Sequence, residues 1–279
     1  MTDPLISTAW LADRAGDETV VVLDASWHMP AAGRDAAAEY AEAHIPGAVF
    51  FDIDKVSDHA SPLPHMLPPP SEFAVAARRL GVSNASTVVV YDSVGLFSAP
   101  RAWWTFRAMG HDAVFVLDGG LPRWIAEGRP LETGWRDPEH GDFKSHPRAA
   151  LVRDLGQVTS ALRDPAIQVL DARPAARFRG EAPEPRPGLR SGHMPGARSL
   201  PFAGLIDGDS LVAEERLRAV FGAADIDPAK PAIAACGSGV SAAVIALALA
   251  RLGQTDAAVY DGSWSEWGAR DDTVVVTGP

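Results

Sequence analysis

Short β-branched apolar runs recur along the chain, and each closes on a polar or reactive residue: Val20–Asp24, Val88–Asp92, Ala113–Asp118, Gln168–Asp171, Ala232–Cys236 and Ala257–Asp261. Runs of this length, with little polar alternation, suit strands buried on both faces, as in parallel sheets. Longer stretches with helical character lie between them: Ser71–Leu80, Ala99–Met109, Leu155–Arg163, Ala213–Phe221 and Ser241–Leu252. Strands alternating with helices predict an α/β protein with a mostly parallel sheet and helices on both faces. Ligands of such sheets sit at the carboxyl ends of the strands. The Asp and Cys residues that close the runs are therefore candidates for the chemistry.

The pattern also repeats. Val20–Ala25 resembles Ile167–Ala172, His44–Ala48 resembles His193–Ala197, Thr87–Asp92 resembles Pro231–Cys236, and Val116–Gly120 resembles Val259–Ser263. The order is the same and the offset nearly constant, and the period is far too long for a solenoid. Two homologous domains in tandem follow: residues 1–135, a linker over 136–150 carrying Pro138, Gly141 and Pro147, and residues 151–279. A second irregular stretch, Gly180–Pro195, is rich in Pro, Arg and Gly and is too long and too charged for an idle turn.

The 279 residues are 47% apolar and 22% charged, the profile of a globular protein with room for real cores. A net charge of −11 makes nucleic acid or an anionic membrane a poor partner for the surface as a whole, and an anionic substrate needs a local cationic pocket. One cysteine, Cys236, excludes an intramolecular disulfide and any zinc site built on several thiolates; no metal is expected. The N-terminus has no basic segment followed by an apolar one, so no signal peptide is expected. The uncharged run Ala232–Ala250 is interrupted by Cys236-Gly237-Ser238-Gly239, which reads as strand, loop and buried helix rather than a membrane span. A cytoplasmic location is expected.

Cys236-Gly237-Ser238-Gly239-Val240-Ser241 joins an apolar strand to an apolar helix. The loop's amides can converge on the sulfur, two glycines permit the backbone angles this needs, and the helix presents its positive end. All three stabilise a thiolate. The first repeat has Asp92 at this position, so only the second domain can carry nucleophilic sulfur chemistry. A cysteine phosphatase needs an arginine six positions after the cysteine, where this chain has Ala242; a cysteine protease needs a peptide cleft and a positioned His, for which nothing local speaks.

These residues together resemble the tandem-domain rhodanese family, and within it the 3-mercaptopyruvate sulfurtransferases. The resemblance runs through Leu23–Trp27, His44–Asp54, Ser98–Arg101, Leu117–Leu121, Arg177–Gly196, the Cys236 loop and Tyr260–Trp267. It implies that Cys236 takes sulfur from 3-mercaptopyruvate as a persulfide, releases pyruvate, and passes the sulfur to a thiol such as thioredoxin, or to cyanide, with no cofactor. Arginines grip carboxylates through paired hydrogen bonds, and the positions of Arg177 and Arg186 match those that hold the substrate carboxylate and carbonyl; Glu184 is expected to orient one of them. Asp54, His65 and Ser238 match a cross-domain proton relay. Gly237, Gly239, Val240 and Ser241 supply the amide cradle for the persulfide. Thiosulfate sulfurtransferases of the family carry basic residues where this chain has Gly237 and Ser238, so a thiosulfate:cyanide sulfurtransferase is the alternative, and a non-catalytic sulfur-carrier or binding module a second. His44 and His193 recur before Pro-Gly in both repeats and read as structural, and Trp103, Trp104, Trp124, Trp264 and Trp267 read as packing residues.

Overall fold

A computed structural model describes residues 3–279; the first two positions of the expected first domain lie outside the described residues. The first domain contains strands β1 (Leu5–Ile6), β2 (Val20–Asp24), β3 (Val49–Phe50), β4 (Thr87–Tyr91) and β5 (Val114–Leu117). Its helices are α1 (Thr8–Ala12), α2 (Ala36–Glu42), α3 (Pro70–Arg79), α4 (Ala99–Ala108) and α5 (Gly120–Ala126). The second domain has β6 (Val152–Arg153), β7 (Gln168–Asp171), β8 (Arg198–Ser199), β9 (Ile206–Asp207), β10 (Ser210–Leu211), β11 (Ala232–Ala235) and β12 (Ala258–Tyr260). Its helices are α6 (Leu155–Ala161), α7 (Ala175–Phe178), α8 (Glu214–Ala223), α9 (Ala242–Arg251) and α10 (Ser263–Trp267).

The two five-stranded sheets have one topology: β1-β5-β4-β2-β3 and β6-β12-β11-β7-β8, with every pairing parallel. The β-branched run Val20–Val22 and its partners Thr87–Val89 lie in register across β2 and β4, which is the strongest local reason for this sheet. In each domain the central strand, β4 or β11, feeds a loop and then a deeply buried helix, α4 or α9. Those two helices pack against each other across the domain interface. Every residue of α9 but the last is buried, and nine of the ten in α4, so both helices have partners on every side. The loops ahead of both helices are thereby brought to the same interface.

Several elements escape the sequence pattern. β1, β3, β6 and β8 are two residues long, too short for any periodicity to register. β9 and β10 form an antiparallel hairpin around Gly208, and isolated antiparallel bridges join His44 to Glu132 and His193 to Val276. The expected linker is not slack chain. Phe143 is fully buried in the first core, against Phe73 and Phe106, and Gly141 and His146 donate backbone hydrogen bonds to Arg78 and Met109. The segment is irregular because it is strapped along the first domain, and an aromatic anchor holds it there. No helix among the described residues is long and apolar enough to cross a membrane.

Candidate active site

The recurring histidines are structural. His44 stacks on Tyr40 at 4.1 Å and bonds the Tyr40 carbonyl; His193 stacks on Phe178 at 3.8 Å and bonds the Phe178 carbonyl. All five tryptophans expected in packing are buried.

Cys236 follows β11 directly and is 2% exposed. Its backbone is clamped by the start of α10. The Cys236 N–H donates to Ser263 Oγ (3.2 Å), the Trp264 N–H to the Cys236 carbonyl (2.9 Å), and both the N–H and the hydroxyl of Ser265 to the Gly237 carbonyl (2.9 and 2.7 Å). Ser263 takes a left-handed φ of 49° to do this; its counterpart in the first repeat is Gly120, with φ 50°, which reaches the same conformation without a side chain. Sequence reasoning passed over Ser263 and Ser265. Their signal was the repeat itself, where Gly120 and Pro122 stand at those places.

The loops after β4 and β11 differ in what their amides hold. Asp92 draws the N–H groups of Val94, Phe97, Ser98 and Ala99 onto its own carboxylate at 2.7–3.1 Å. Among the described residues, the N–H groups of Gly237 to Ser241 have no partner within the protein, and no hydrogen bond ends on Cys236 Sγ. Buried amides left unpaired at a turn are a site for an anion.

Around this loop the structure gathers the other candidates. His65 Nδ1 lies 2.9 Å from Ser238 Oγ, and His65 Nε2 lies 2.9 Å from Asp54 Oδ1. Trp27 donates its indole N–H to the other Asp54 oxygen (3.1 Å) and meets the His65 ring edge-on at 4.8 Å. A carboxylate only accepts, so in the neutral ring Nε2 carries the proton and Nδ1 is free to accept from Ser238. Hydrogen bonding from His65, ahead of the opposing effect of burial, holds the Asp54 carboxyl below the usual carboxylate range.

Arg177 and Arg186 converge beside the nucleophile. A Cβ added at Gly237 would stand 3.3 Å from Arg177 Nη2 and 3.7 Å from Arg186 Nη1. Arg186 Nη2 also donates to Ser238 Oγ (3.3 Å), joining the cationic pair to the relay. Burial, then the neighbouring Arg177, depress the Arg186 guanidinium, while Cys236, Glu184 and Asp54 pull it back. Glu184, itself buried, accepts from Arg177 through Nε and Nη2 and from Arg173 (2.8 Å). Arg173, unnoticed in the sequence, is fully buried over Trp264 at 4.0 Å and anchors this acid to Asp171. Arg179 pairs with Glu181 at the surface, and Arg190 bonds backbone carbonyls at 267, 268, 270 and 273, so neither belongs to the site. Among the described residues no group of three or more His, Cys, Asp or Glu is placed to hold a metal ion. A groove of about 910 Å³ along Val20, Gly47, Gly81 and Arg136 includes none of the residues around Cys236.

The family model for the rhodanese-like domain matches residues 7–127 and again 154–270. The chain belongs to the rhodanese family. Each matched segment holds four of the five strands of one parallel sheet, with the edge strand β1 or β6 just ahead of it. Among its relatives, the 3-mercaptopyruvate sulfurtransferase of Escherichia coli is 46% identical over 97% of this chain and 96% of its own. The thiosulfate sulfurtransferase of Bos taurus is 45% identical over 94% and 91%. A crystal structure of a 3-mercaptopyruvate sulfotransferase, SseA from Escherichia coli, superposes with a TM-score of 0.87 at 44% identity, covering 95% of this chain and all of the other. Identity alone does not separate the two donors within the rhodaneses.

Proposed function

We propose that this protein is a sulfurtransferase that takes sulfur from 3-mercaptopyruvate onto Cys236 and delivers it to a thiol or cyanide. Arg177 and Arg186 hold the carboxylate and the 2-oxo group of the donor. The Cys236 thiolate attacks the donor sulfur; the sulfur–carbon bond breaks and its electron pair passes to C3 as the enolate of pyruvate, whose oxygen the two arginines stabilise. The proton of the donor thiol reaches C3 through Ser238, His65 and Asp54, which gives pyruvate and leaves a Cys236 persulfide. The N–H groups from Gly237 to Ser241 solvate the persulfide anion. An acceptor thiol, such as that of thioredoxin, or cyanide then attacks the outer sulfur and returns the Cys236 thiolate. Such covalent catalysis in two half-reactions gives ping-pong kinetics. The lone thiol must be reduced to act, which fits a reducing compartment such as the cytoplasm.

The observation that carries this reading is the pair of guanidinium groups flanking Gly237, the residue next to the nucleophile. They suit a monoanionic carboxylate, and the uncharged Gly237 and Ser238 add nothing for a sulfonate-like dianion. The near-equal identity to a thiosulfate sulfurtransferase keeps thiosulfate as the second donor. Mass spectrometry after one turnover with 3-mercaptopyruvate and no acceptor tests the reading. One added sulfur atom on the Cys236 peptide, with one pyruvate released, supports it; pyruvate without sulfur on Cys236 contradicts it.

A further inference from the structure

Arg101 and Asp261 form a buried ion pair between the domains (2.8 Å), with side chains 3% and 5% exposed. Neither has a part in the chemistry above. Asp261 follows β12, and its second oxygen accepts the Leu67 N–H at 2.6 Å. Arg101 lies in the first turn of α4 with its guanidinium over Trp104 at 4.5 Å; it donates to the His65 carbonyl and to the Gly239 carbonyl (3.4 Å). The pair therefore grips the chain immediately after the His65 side chain, at the carbonyl of 65 and the N–H of 67, and fastens the same point to the residue after Ser238. Gly239 fits this contact only without a side chain: a Cβ there would lie 2.8 Å from Arg101 Nη1, and its φ is +79°.

His65 itself has φ 60°, the left-handed region that a residue with a Cβ enters at a cost. Such a conformation persists only where the surroundings over-determine it, and it is a mark of functional sites. Arg101 and Asp261 are those surroundings. The repeat sharpens the point. Asp118, the counterpart of Asp261, pairs instead with Arg123 of its own domain (2.8 Å), and the third position of α9, matching Arg101 in α4, is Val244. The direct pair between the aspartate after the last strand and the helix of the opposite domain exists only on the side of the nucleophile; on the other side Arg123 carries the cross-domain contact, to Asp209 (3.0 Å). Burying two charges seldom adds net stability, because desolvation offsets the attraction; what the pair supplies is geometry.

We infer that Arg101 and Asp261 are positioning residues for the relay: they fix the backbone of His65 so that its ring spans Asp54 and Ser238, and they make assembly of the relay depend on domain closure. The inference rests on the proposed role of His65.

A double-mutant cycle tests it in the full-length protein, using Arg101→Lys and Asp261→Asn, each alone and combined with His65→Ala. Lysine lacks the fork that reaches two carbonyls, and asparagine keeps the shape and an oxygen for Leu67. Each single variant is expected to lower kcat with 3-mercaptopyruvate by ~10–100-fold and to change KM by less than about threefold, since both substrate arginines are intact. In the His65→Ala background the same changes are expected to cost less than about twofold, because residues acting through one group are not additive. Equal losses in both backgrounds overturn the inference and leave the relay standing. Wild-type kcat in His65→Ala removes the relay, and the inference with it. Thermal unfolding accompanies each variant; if Arg101→Lys does not fold, Asp261→Asn decides, and failure of both to fold makes the pair structural and overturns the inference.

Discussion

Asp92 and Cys236 occupy the same place in the two repeats, each directly after the central strand of its sheet, and only Asp92 has closed the following loop's amides onto itself. The first domain shows what the loop is shaped to hold, an anion ringed by N–H groups, and the second keeps the ring open around a thiol. Cys236→Asp is therefore expected to lose at least ~10³-fold in turnover while melting at or above the wild-type temperature, because the new carboxylate can take up the free amides. Calorimetry and a turnover assay on the same preparation check it. A variant that melts well below wild type contradicts the shared-cradle reading.

Gly237 leaves room for the two arginines. Its φ is not in the left-handed region, so alanine meets no backbone penalty there, yet the new methyl would press on Arg177 Nη2 at 3.3 Å. Gly237→Ala is expected to raise KM for 3-mercaptopyruvate several-fold and to lower kcat as well, because the same arginines bind the donor and stabilise its enolate. Steady-state kinetics measure both; an unchanged KM means the carboxylate is not bound beside residue 237.

Asp24 and Asp171 end equivalent strands, but Asp171 has the Arg173 cation at 2.7 Å while Asp24 has only Ser26 at the corresponding position. Burial, with the nearby Asp92 charge, pushes the Asp24 carboxyl up to about 6. A folded-state value above the unfolded one means that this group's contribution is full below about pH 4 and is lost as pH rises through about 6. The shift corresponds to on the order of 3 kcal/mol by pH 8. Asp24→Asn, which keeps an oxygen for the Ser26 N–H, is expected to flatten the stability profile between about pH 4 and 7. Urea unfolding across that range measures it, and a variant with the wild-type slope sinks the assignment.

The hairpin of β9 and β10 docks on the first domain's empty-handed counterpart of the active loop. Gly95, at φ +104°, lies so close to Asp209 that a Cβ would come within 2.6 Å of its backbone, and Arg123 donates to Asp209 at 3.0 Å. Gly95→Ala is expected to destabilise by about 2–4 kcal/mol, from backbone strain and overpacking together. Gly188→Ala provides the comparison, since Gly188 has a similar positive φ with open space around it. Similar melting temperatures for the two would show that the hairpin contact is not tight.

Much of the fold was legible because each sheet rests on runs such as Val20–Asp24 and Gln168–Asp171, whose patterns need no tertiary context, and because the repeat supplies the five-stranded sheet twice. The elements that were not legible are too short to show a pattern, the two-residue edge strands and the helices α1, α2, α5, α7 and α10, together with a linker held by Phe143 and by backbone hydrogen bonds to the first domain. Within the site, Cys236, Ser238, His65, Asp54, Arg177 and Arg186 were read from motifs, and the structure places them together. Arg173, Arg101, Asp261 and Ser263 were not, since each acts by holding another residue rather than through a motif of its own, and Arg101 and Asp261 meet across a separation of 160 residues. A sequence shows such a partner only where one repeat departs from the other.

The most direct measurement compares turnover of 3-mercaptopyruvate and thiosulfate with the same thiol and cyanide acceptors, on wild type and Cys236→Ser. A higher kcat/KM for 3-mercaptopyruvate, abolished in the variant, is the expected result. Preference for thiosulfate would contradict the reading of Gly237 and Ser238, and undiminished transfer by Cys236→Ser would contradict the persulfide itself.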